Sequence, residues 1–301
     1  MLYEERKILL GISGGPDSMY LLSWAMSQYD SSNLIVCTVN YNVRKDSFKD
    51  VEIVRKFCEK HKISFFDKQI FTSKEERYYN TNFENQARED RLDFFYEIYK
   101  KFNCEMLLLG HHKDDFLETA LMQQNAKKKR FYYGIKEKSI LRNMLVYRPF
   151  LKMYFKNELL ELCEKNQINY ATDETNFLPI TTRNKIRLEL TKLSNNQKQK
   201  IIDEINELNK KNQIVNEEIF RIFAKWESSE FDQDEFKKLE YKTELIYIFI
   251  NTYFQTIKLS SGKINNLVAF VLSNNRTNSF LLKDKVFLHK KRGKLLKPKT
   301  K

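Results

Sequence analysis

Short apolar runs recur along the chain, separated by amphipathic stretches of helical period. Leu9, Leu10 and Ile12 form the first run, NLIVCTV (33–39) the second and Met106–Leu109 the fourth, with ISFFDKQIF (63–71) reading as a strand between them. Brief apolar runs bounded by turn signals predict strands buried on both faces. The segments between them, MYLLSWAMSQY (19–29) and DSFKDVEIVRKFCEKH (46–61), space their apolar residues as helices do. Thr81 and Glu84 form a capping box opening a third helix, NFENQAREDRLDFFYEIYKKF. Strand and helix alternate, which predicts an α/β fold: a doubly wound, mainly parallel sheet with helices on both faces.

Further on, Arg148-Pro149-Phe150-Leu151 ends a short strand and Phe155–Asn166 is an amphipathic helix. Asp173-Glu174-Thr175-Asn176 is turn chemistry, and another helix begins at Arg183, with Arg183 and Arg187 on one face. From about Leu193 the texture changes. KLSNNQKQKIIDEINELNKKNQIVNEEIFRIFAKW reads as one long helix or a helical hairpin, with helices continuing through Phe254 and over Gly262–Leu272. The end reads as short strands with a turn near Gly293. The pattern thus predicts a catalytic domain over 1–192 and a smaller, mostly helical one over 193–301 that ends in short basic strands.

Composition narrows the class. At 301 residues, 42% apolar and 31% charged, the chain has the length for two domains and a real core. No eighteen-residue apolar run exists, so no membrane span is expected. The start, MLYEERK, is acidic and runs straight into a strand, unlike a signal peptide. Cys37, Cys58, Cys104 and Cys163 stand singly in periodic segments, as buried hydrophobes do in a reducing, cytoplasmic compartment. A formal charge of +13 suggests a polyanionic partner, although the abundance of Lys, Asn, Ile, Phe and Tyr also fits an AT-rich coding sequence. Where the charge clusters says more. Lys127-Lys128-Lys129-Arg130 precedes Phe131, Tyr132 and Tyr133, a run that suits RNA or a plain solvated loop. The last nineteen residues hold nine Lys or Arg and one acid.

Two stretches carry the chemistry. Three of the seven glycines, Gly11, Gly14 and Gly15, fall in KILLGISGGPDS, where a strand gives way to a helix through Ser13-Gly14-Gly15-Pro16-Asp17-Ser18. Free N–H groups at that helix start, with the Ser13 and Ser18 hydroxyls, make an anion cradle. After the fourth strand, Gly110-His111-His112-Lys113-Asp114-Asp115-Phe116-Leu117-Glu118-Thr119 crowds two histidines and three carboxylates at a strand end. Asp114 and Glu118 lie one helical turn apart. The cluster suits an active site, a metal site, or acids placed to meet a helix dipole. Arg88 and Arg91 share a helix face that is either solvated or turned to a ligand.

SGGPDS resembles the pyrophosphate loop of the N-type ATP pyrophosphatases, and lacks the Gly-Lys-[Ser/Thr] ending of a Walker loop. Within that superfamily the chain resembles the tRNA(Ile)-lysidine synthetases. The resemblance rests on VNYNVR (39–44), NFENQAREDR (82–91), HHKDDFLET (111–119), RPFLKMYFKNE (148–158), DETN (173–176) and RNKIR (183–187), which stand in the family's order over residues 6 to 190. One departure stands out: Asn40, Tyr41 and Asn42 replace the family's Asp, His and Gly, and Asn is the best non-glycine residue where φ must be positive.

The resemblance implies an adenine-nucleotide α-hydrolase-like fold and a two-step reaction. The C2 carbonyl oxygen of the wobble cytidine of a tRNA(Ile) with a CAU anticodon attacks the α-phosphate of ATP and releases pyrophosphate, and free L-lysine then attacks C2 and displaces AMP. It implies that Ser13, Gly14, Gly15, Pro16, Asp17 and Ser18 bind ATP, with Asp17 near Mg2+. Asp17, Arg88, Asp114 and Glu118 are the implied catalytic residues, Asp114 and Glu118 as binders or bases for the lysine cation. Arg91, His111, His112, Asp115, Arg183 and Arg187 are the implied substrate binders, and on its charge the run Lys127, Lys128, Lys129 and Arg130 is expected to contact that tRNA. Rival readings are a tRNA thiolase, which generally uses reactive cysteines, and a non-catalytic tRNA-binding protein with a vestigial nucleotide site.

Overall fold

A computed structural model of the chain describes residues 6–42, 46–70, 83–126, 130–171, 182–255 and 257–298, without the side chains of Phe83 and Glu84. Val43, Arg44, Phe71, Thr81, Asn82, Lys127, Lys128, Lys129 and the 173–176 turn lie outside the described residues. Six strands, β1 (Ile8–Gly11), β2 (Leu34–Asn40), β3 (Ser64–Gln69), β4 (Met106–Leu109), β5 (Lys138–Leu141) and β6 (Met144–Tyr147), pair in the order β3-β2-β1-β4-β6-β5. All neighbours are parallel except β5, which runs antiparallel to β6 at the edge.

Among the described residues seven helices accompany this sheet in the sequence: α1 (Pro16–Gln28), α2 (Phe48–His61), α3 (Phe83–Lys101), α4 (Lys113–Asn125), α5 (Lys156–Lys165), α6 (Thr182–Leu190) and α7 (Asn195–Ser228). Because strand side chains alternate, Ile8, Leu10, Val36 and Leu108 meet α1, α2 and α5 through Met19, Leu22, Val54, Cys58, Leu159 and Cys163. Leu9, Ile35, Cys37 and Leu107 meet α3 through Leu92, Phe95 and Ile98 on the other face. A continuous apolar run is what a strand covered on both faces needs. Each fully buried Leu or Ile there stabilises the fold by roughly 1.5–3 kcal/mol, which gives the loop after β1 a fixed base. A third cluster joins α4, α6 and the start of α7 through Leu117, Ala120, Ile186, Leu190, Ile202 and Ile205.

Helices α2, α3 and α5 end the same way. Lys62 (φ 56°), Asn103 (φ 48°) and Gln167 (φ 53°) each turn left-handed after the last helical residues. The next residue then donates its N–H five positions back: Ile63 to Cys58 O, Cys104 to Tyr99 O and Ile168 to Cys163 O, each at 2.9 Å. This is the Schellman arrangement, normally built on glycine. Each time it turns an apolar residue into the core, since Ile63, Cys104 and Ile168 are all buried.

Strand β6 is the short strand expected before Arg148, but its hairpin partner β5 was hidden, lying in a stretch that reads as polar and basic. The hairpin's two-residue turn, Arg142-Asn143, has φ of 48° and 62°, the double left-handed geometry of a type I′ turn. Without the usual Asn-Gly pair the turn sends no signal, and an edge strand such as Lys138–Leu141 needs only one apolar face.

The chain divides into two compact units, Met1–Asn206 and Glu207–Lys301. The stretch left open as helix or hairpin is one continuous helix, α7. The second unit holds α8 (Gln233–Lys238), α9 (Lys242–Tyr253), α10 (Ser261–Leu272) and a sheet of β7 (Asn278–Lys283), β8 (Val286–Lys291) and β9 (Lys294–Leu295). Trp226 is its hub, 4.6 Å from the ring centroid of Phe236 and 5.0 Å from that of Phe231. Buried Lys290 donates to Phe270 O at 2.8 Å and Val271 O at 3.3 Å, satisfying carbonyls at the end of α10, and to Ser273 Oγ at 3.0 Å. All four cysteines are buried and free, as their scatter predicted.

Candidate active site

The strand order reverses between β1 and β4, and in such sheets ligands sit beyond the carboxyl ends at that point. Ile12 leaves β1 anchored, its N–H donating to Cys37 O at 2.9 Å and its carbonyl accepting from Thr38 Oγ1 at 2.8 Å. Gly14 then turns left-handed (φ 89°), and a Cβ there would stand 2.8 Å from Asp50 O, so only glycine fits. Gly15, extended, is the N-cap of α1, and Pro16 is pre-set for the first helical turn. No side chain among the described residues caps the first N–H groups of α1, which leaves them for an anion. Ser18 Oγ donates to Gly15 O at 2.9 Å and lies 3.2 Å from Ser13 Oγ, so the two hydroxyls stand together inside the loop.

From β4 the chain passes Gly110, where a Cβ would lie 2.9 Å from Asp17 O. That close approach brings the two strand-end loops together. The His112 ring is buried among three acids: Nε2 is 3.5 Å from Asp17 Oδ2 and 3.5 Å from Asp115 Oδ2, and Nδ1 is 3.6 Å from Asp114 Oδ2. Burial alone would lower its pKa; the carboxylates of Asp115, Asp17 and Asp114 outweigh that and raise it to about 9. His111 goes the other way. Burial, helped by Arg148, Arg91 and His112 and opposed by Asp115, pushes it down to about 4, so it is neutral at pH 7. Asp115 is buried, which favours its neutral form, yet His112, His111 and the His112 N–H hold it below the usual carboxylate range.

A pH dependence follows. A histidine whose pKa is raised on folding contributes stability that is fully present below its ordinary value and lost as pH rises through the folded value. In metal-free buffer the denaturant midpoint is therefore expected to fall between pH 6.5 and about 9. His112→Gln should flatten that slope in a urea titration series; an unchanged slope would assign it to another group.

Asp114 and Glu118, expected as binders or bases for the lysine cation, share a helix face, and both are paired with cations of the chain. Asp114 Oδ1 accepts from Lys198 Nζ at 2.6 Å and Oδ2 from the Lys156 N–H at 2.8 Å. Glu118, 2% exposed, accepts from Arg183 Nε at 2.9 Å and from Arg187 Nε and NH2 at 2.7 and 3.2 Å. A buried carboxylate must be paired, and here the chain supplies the cations itself. The acid of this helix that faces the open pocket is Asp115.

That pocket, about 320 Å³, is lined by Ser13, Gly15, Asp17 and Ser18 of the first loop, His111 and Asp115 of the second, and Arg88 and Arg91 of α3. Gly14, Pro16, His112, Asp114, Glu118, Arg183 and Arg187 are not among its lining residues, nor is Arg130, which is exposed. Val39, Leu92, Phe95, Leu109 and Leu141 give it an apolar side suited to a flat base. Asp17 Oδ1 is buried with no hydrogen-bond partner.

Three contributors escaped sequence reasoning. Arg148, 3% exposed, lines the pocket while its NH1 donates to Lys136 O and Ser139 Oγ, each at 2.9 Å. Its place just after β6 was the available signal. Tyr41 donates its hydroxyl to Ala87 O at 2.5 Å, tying the β2 end to the turn that carries Arg88 and Arg91. Asn42 beside it has φ 51°, as its glycine-like position required. Lys198 was legible as a lysine occupying the apolar stripe of Ile202 and Ile205.

Residues 2–194 match the PP-loop domain model of an ATP-binding family. The chain is 36% identical to a tRNA(Ile)-lysidine synthase of Mesomycoplasma hyopneumoniae, covering 99% of this chain and 97% of that protein. It is 38% identical to one of Mycoplasmopsis pulmonis over 94% of this chain and 96% of that protein. Among solved structures, a U34-tRNA thiolase of Methanococcus maripaludis aligns with a TM-score of 0.54 at 22% identity, covering 69% of this chain and 74% of that one. That likeness concerns the fold alone.

Proposed function

Because the chain belongs to the PP-loop family and, within it, to the tRNA(Ile)-lysidine synthases, we propose that this pocket adenylates a tRNA base and then joins lysine to it. The protein is an ATP-using enzyme that forms lysidine on an isoleucine tRNA. The finer reading is that the C2 oxygen of the wobble cytidine in a CAU anticodon attacks the α-phosphorus of ATP. The P–O bond to pyrophosphate breaks and an adenylated base remains. The ε-amine of free L-lysine then forms a bond to C2, the C2–O bond breaks, AMP leaves, and the ε-nitrogen releases its surplus proton. The observation that carries this reading is the anion cradle at the β1–β4 reversal with the buried, unpartnered Asp17 Oδ1.

In this reading the free N–H groups at the start of α1 and the Ser13 and Ser18 hydroxyls hold the departing pyrophosphate. Among the described residues no three-ligand metal cluster exists. Asp17 nevertheless suits Mg2+, which is commonly held by one or two carboxylates together with substrate phosphates. When bound there, Mg2+ would neutralise phosphate charge. Arg88, Arg91 and Arg148 line the side of the pocket where charge on AMP or on lysine's carboxylate needs a partner. Asp115, kept ionised and lining the pocket, would receive the lysine ammonium in this reading. The decisive experiment is mass analysis of tRNA after incubation with ATP, Mg2+ and lysine: a lysine adduct at the wobble cytidine supports the reading, and unmodified tRNA refutes it. The thiolase alternative is disfavoured by its sulfur chemistry, because burial raises the thiols of Cys104 and Cys163 to about 11 and that of Cys58 to about 12.

Lys127, Lys128, Lys129 and Arg130, with the second unit, are proposed to contact the tRNA backbone. Neutralising the four is expected to weaken tRNA binding and flatten its salt dependence, as fewer counterions are released. Filter binding at several salt concentrations checks this; a wild-type slope would return the run to a solvated loop.

A further inference from the structure

We propose that Lys198 is a positioning residue for the adenylation step, acting through Asp114 to hold His112 against Asp17. The inference rests on reading the loop after β1 as the nucleotide site. Lys198 is 8% exposed and stands in the first turns of α7. It projects from the stripe that continues in buried Ile202 and Ile205. Its Nζ lies 2.6 Å from Asp114 Oδ1 and 5.7 Å from the Phe155 ring centroid. The start of the helix is itself fixed by reciprocal bonds: Ser194 N–H donates to Gln197 Oε1 at 2.9 Å, and Gln197 N–H to Ser194 Oγ at 3.3 Å.

The consequence lies one contact further on. His112 Nδ1 is buried without a hydrogen-bond partner, although Asp114 Oδ2 is only 3.6 Å away. Asp114 is held at that distance by Lys198 on Oδ1 and by the N–H of Lys156 on Oδ2. The other ring nitrogen is thereby left to Asp17 Oδ2 and Asp115 Oδ2. Remove the ammonium and Asp114 becomes a buried carboxylate lacking its cation, with His112 as the nearest replacement. The imidazole then turns toward Asp114, and Asp17 loses the group that sets its direction. A shift of about 1 Å in such a group can cost roughly a hundredfold in rate.

The test compares Lys198→Met, Lys198→Arg and the double variant Lys198→Met/Asp114→Asn in the full chain. Expected for Lys198→Met is a roughly tenfold to hundredfold lower kcat for adenylate formation per folded molecule, with the KM for tRNA unchanged. Its His112 ring 15N resonances should move in the nucleotide-free protein. Lys198→Arg should restore most of the rate. The double variant should recover part of it, since no orphan carboxylate remains to pull the ring. A kcat unchanged per folded molecule, or His112 resonances that stay in place while only thermal stability falls, would overturn the proposal. If the wild type forms no adenylate, the functional reading fails, and the His112 resonances alone still decide whether Lys198 sets that ring.

Discussion

Asp17→Ala is expected to lower adenylate formation by about 10²–10³-fold while leaving the fold intact. The side chain supports no part of the apolar core, and one of its oxygens is buried with no partner. A preorganised group aimed at developing charge contributes about 3–4 kcal/mol to the transition state. Ser13→Ala should fall in the same direction, because Ser13 and Ser18 hold their hydroxyls together in the cradle. Quenched-flow with α-labelled ATP and tRNA measures the step directly, and near-normal AMP transfer by both variants would remove this loop from the mechanism.

The second large effect concerns stability. Glu118→Gln is expected to destabilise the first unit by about 3 kcal/mol, the low end for breaking a buried ion pair, since Arg183 and Arg187 both reach solvent on their far sides. For a unit of this size that lowers Tm by roughly 6–12 °C. Both half-reactions should suffer together, because α6 loses its ion pairs to α4. Had Glu118 been a direct lysine ligand, Tm would hold and only the KM for lysine would rise. That second pattern is expected of Asp115→Asn, and adenylated tRNA should then accumulate at limiting lysine.

The parallel sheet was legible because strands covered on both faces must be continuously apolar, as Leu34–Cys37 is, and because helical period separated them. The cradle was legible because Gly14 sits where only a backbone without Cβ can turn, and Gly15 and Pro16 open a helix whose first N–H groups stay free. What stayed hidden is tertiary. Spacing put Asp114 and Glu118 on one face correctly, but could not say that Lys198, Arg183 and Arg187 arrive from distant helices to occupy them. Nor does spacing tell Asp115 from its neighbour. One residue along a helix turns a side chain by about 100°, enough to separate a structural anchor from a ligand-facing acid. Edge strand β5 escaped for a local reason, its turn being built from Arg142 and Asn143 in place of glycine.

That economy of glycine carries a cost and an opportunity. At Lys62 and Gln167 the three-fold repeated helix ending puts a side chain where the left-handed backbone crowds Cβ against the carbonyl that follows. Such a residue costs about 1–2 kcal/mol that glycine avoids, against a smaller loss from the extra freedom glycine gives the unfolded chain. The catalytic pocket lies away from both positions. A thermally hardened version of the enzyme is therefore within reach of glycine replacements at helix ends, with its chemistry untouched.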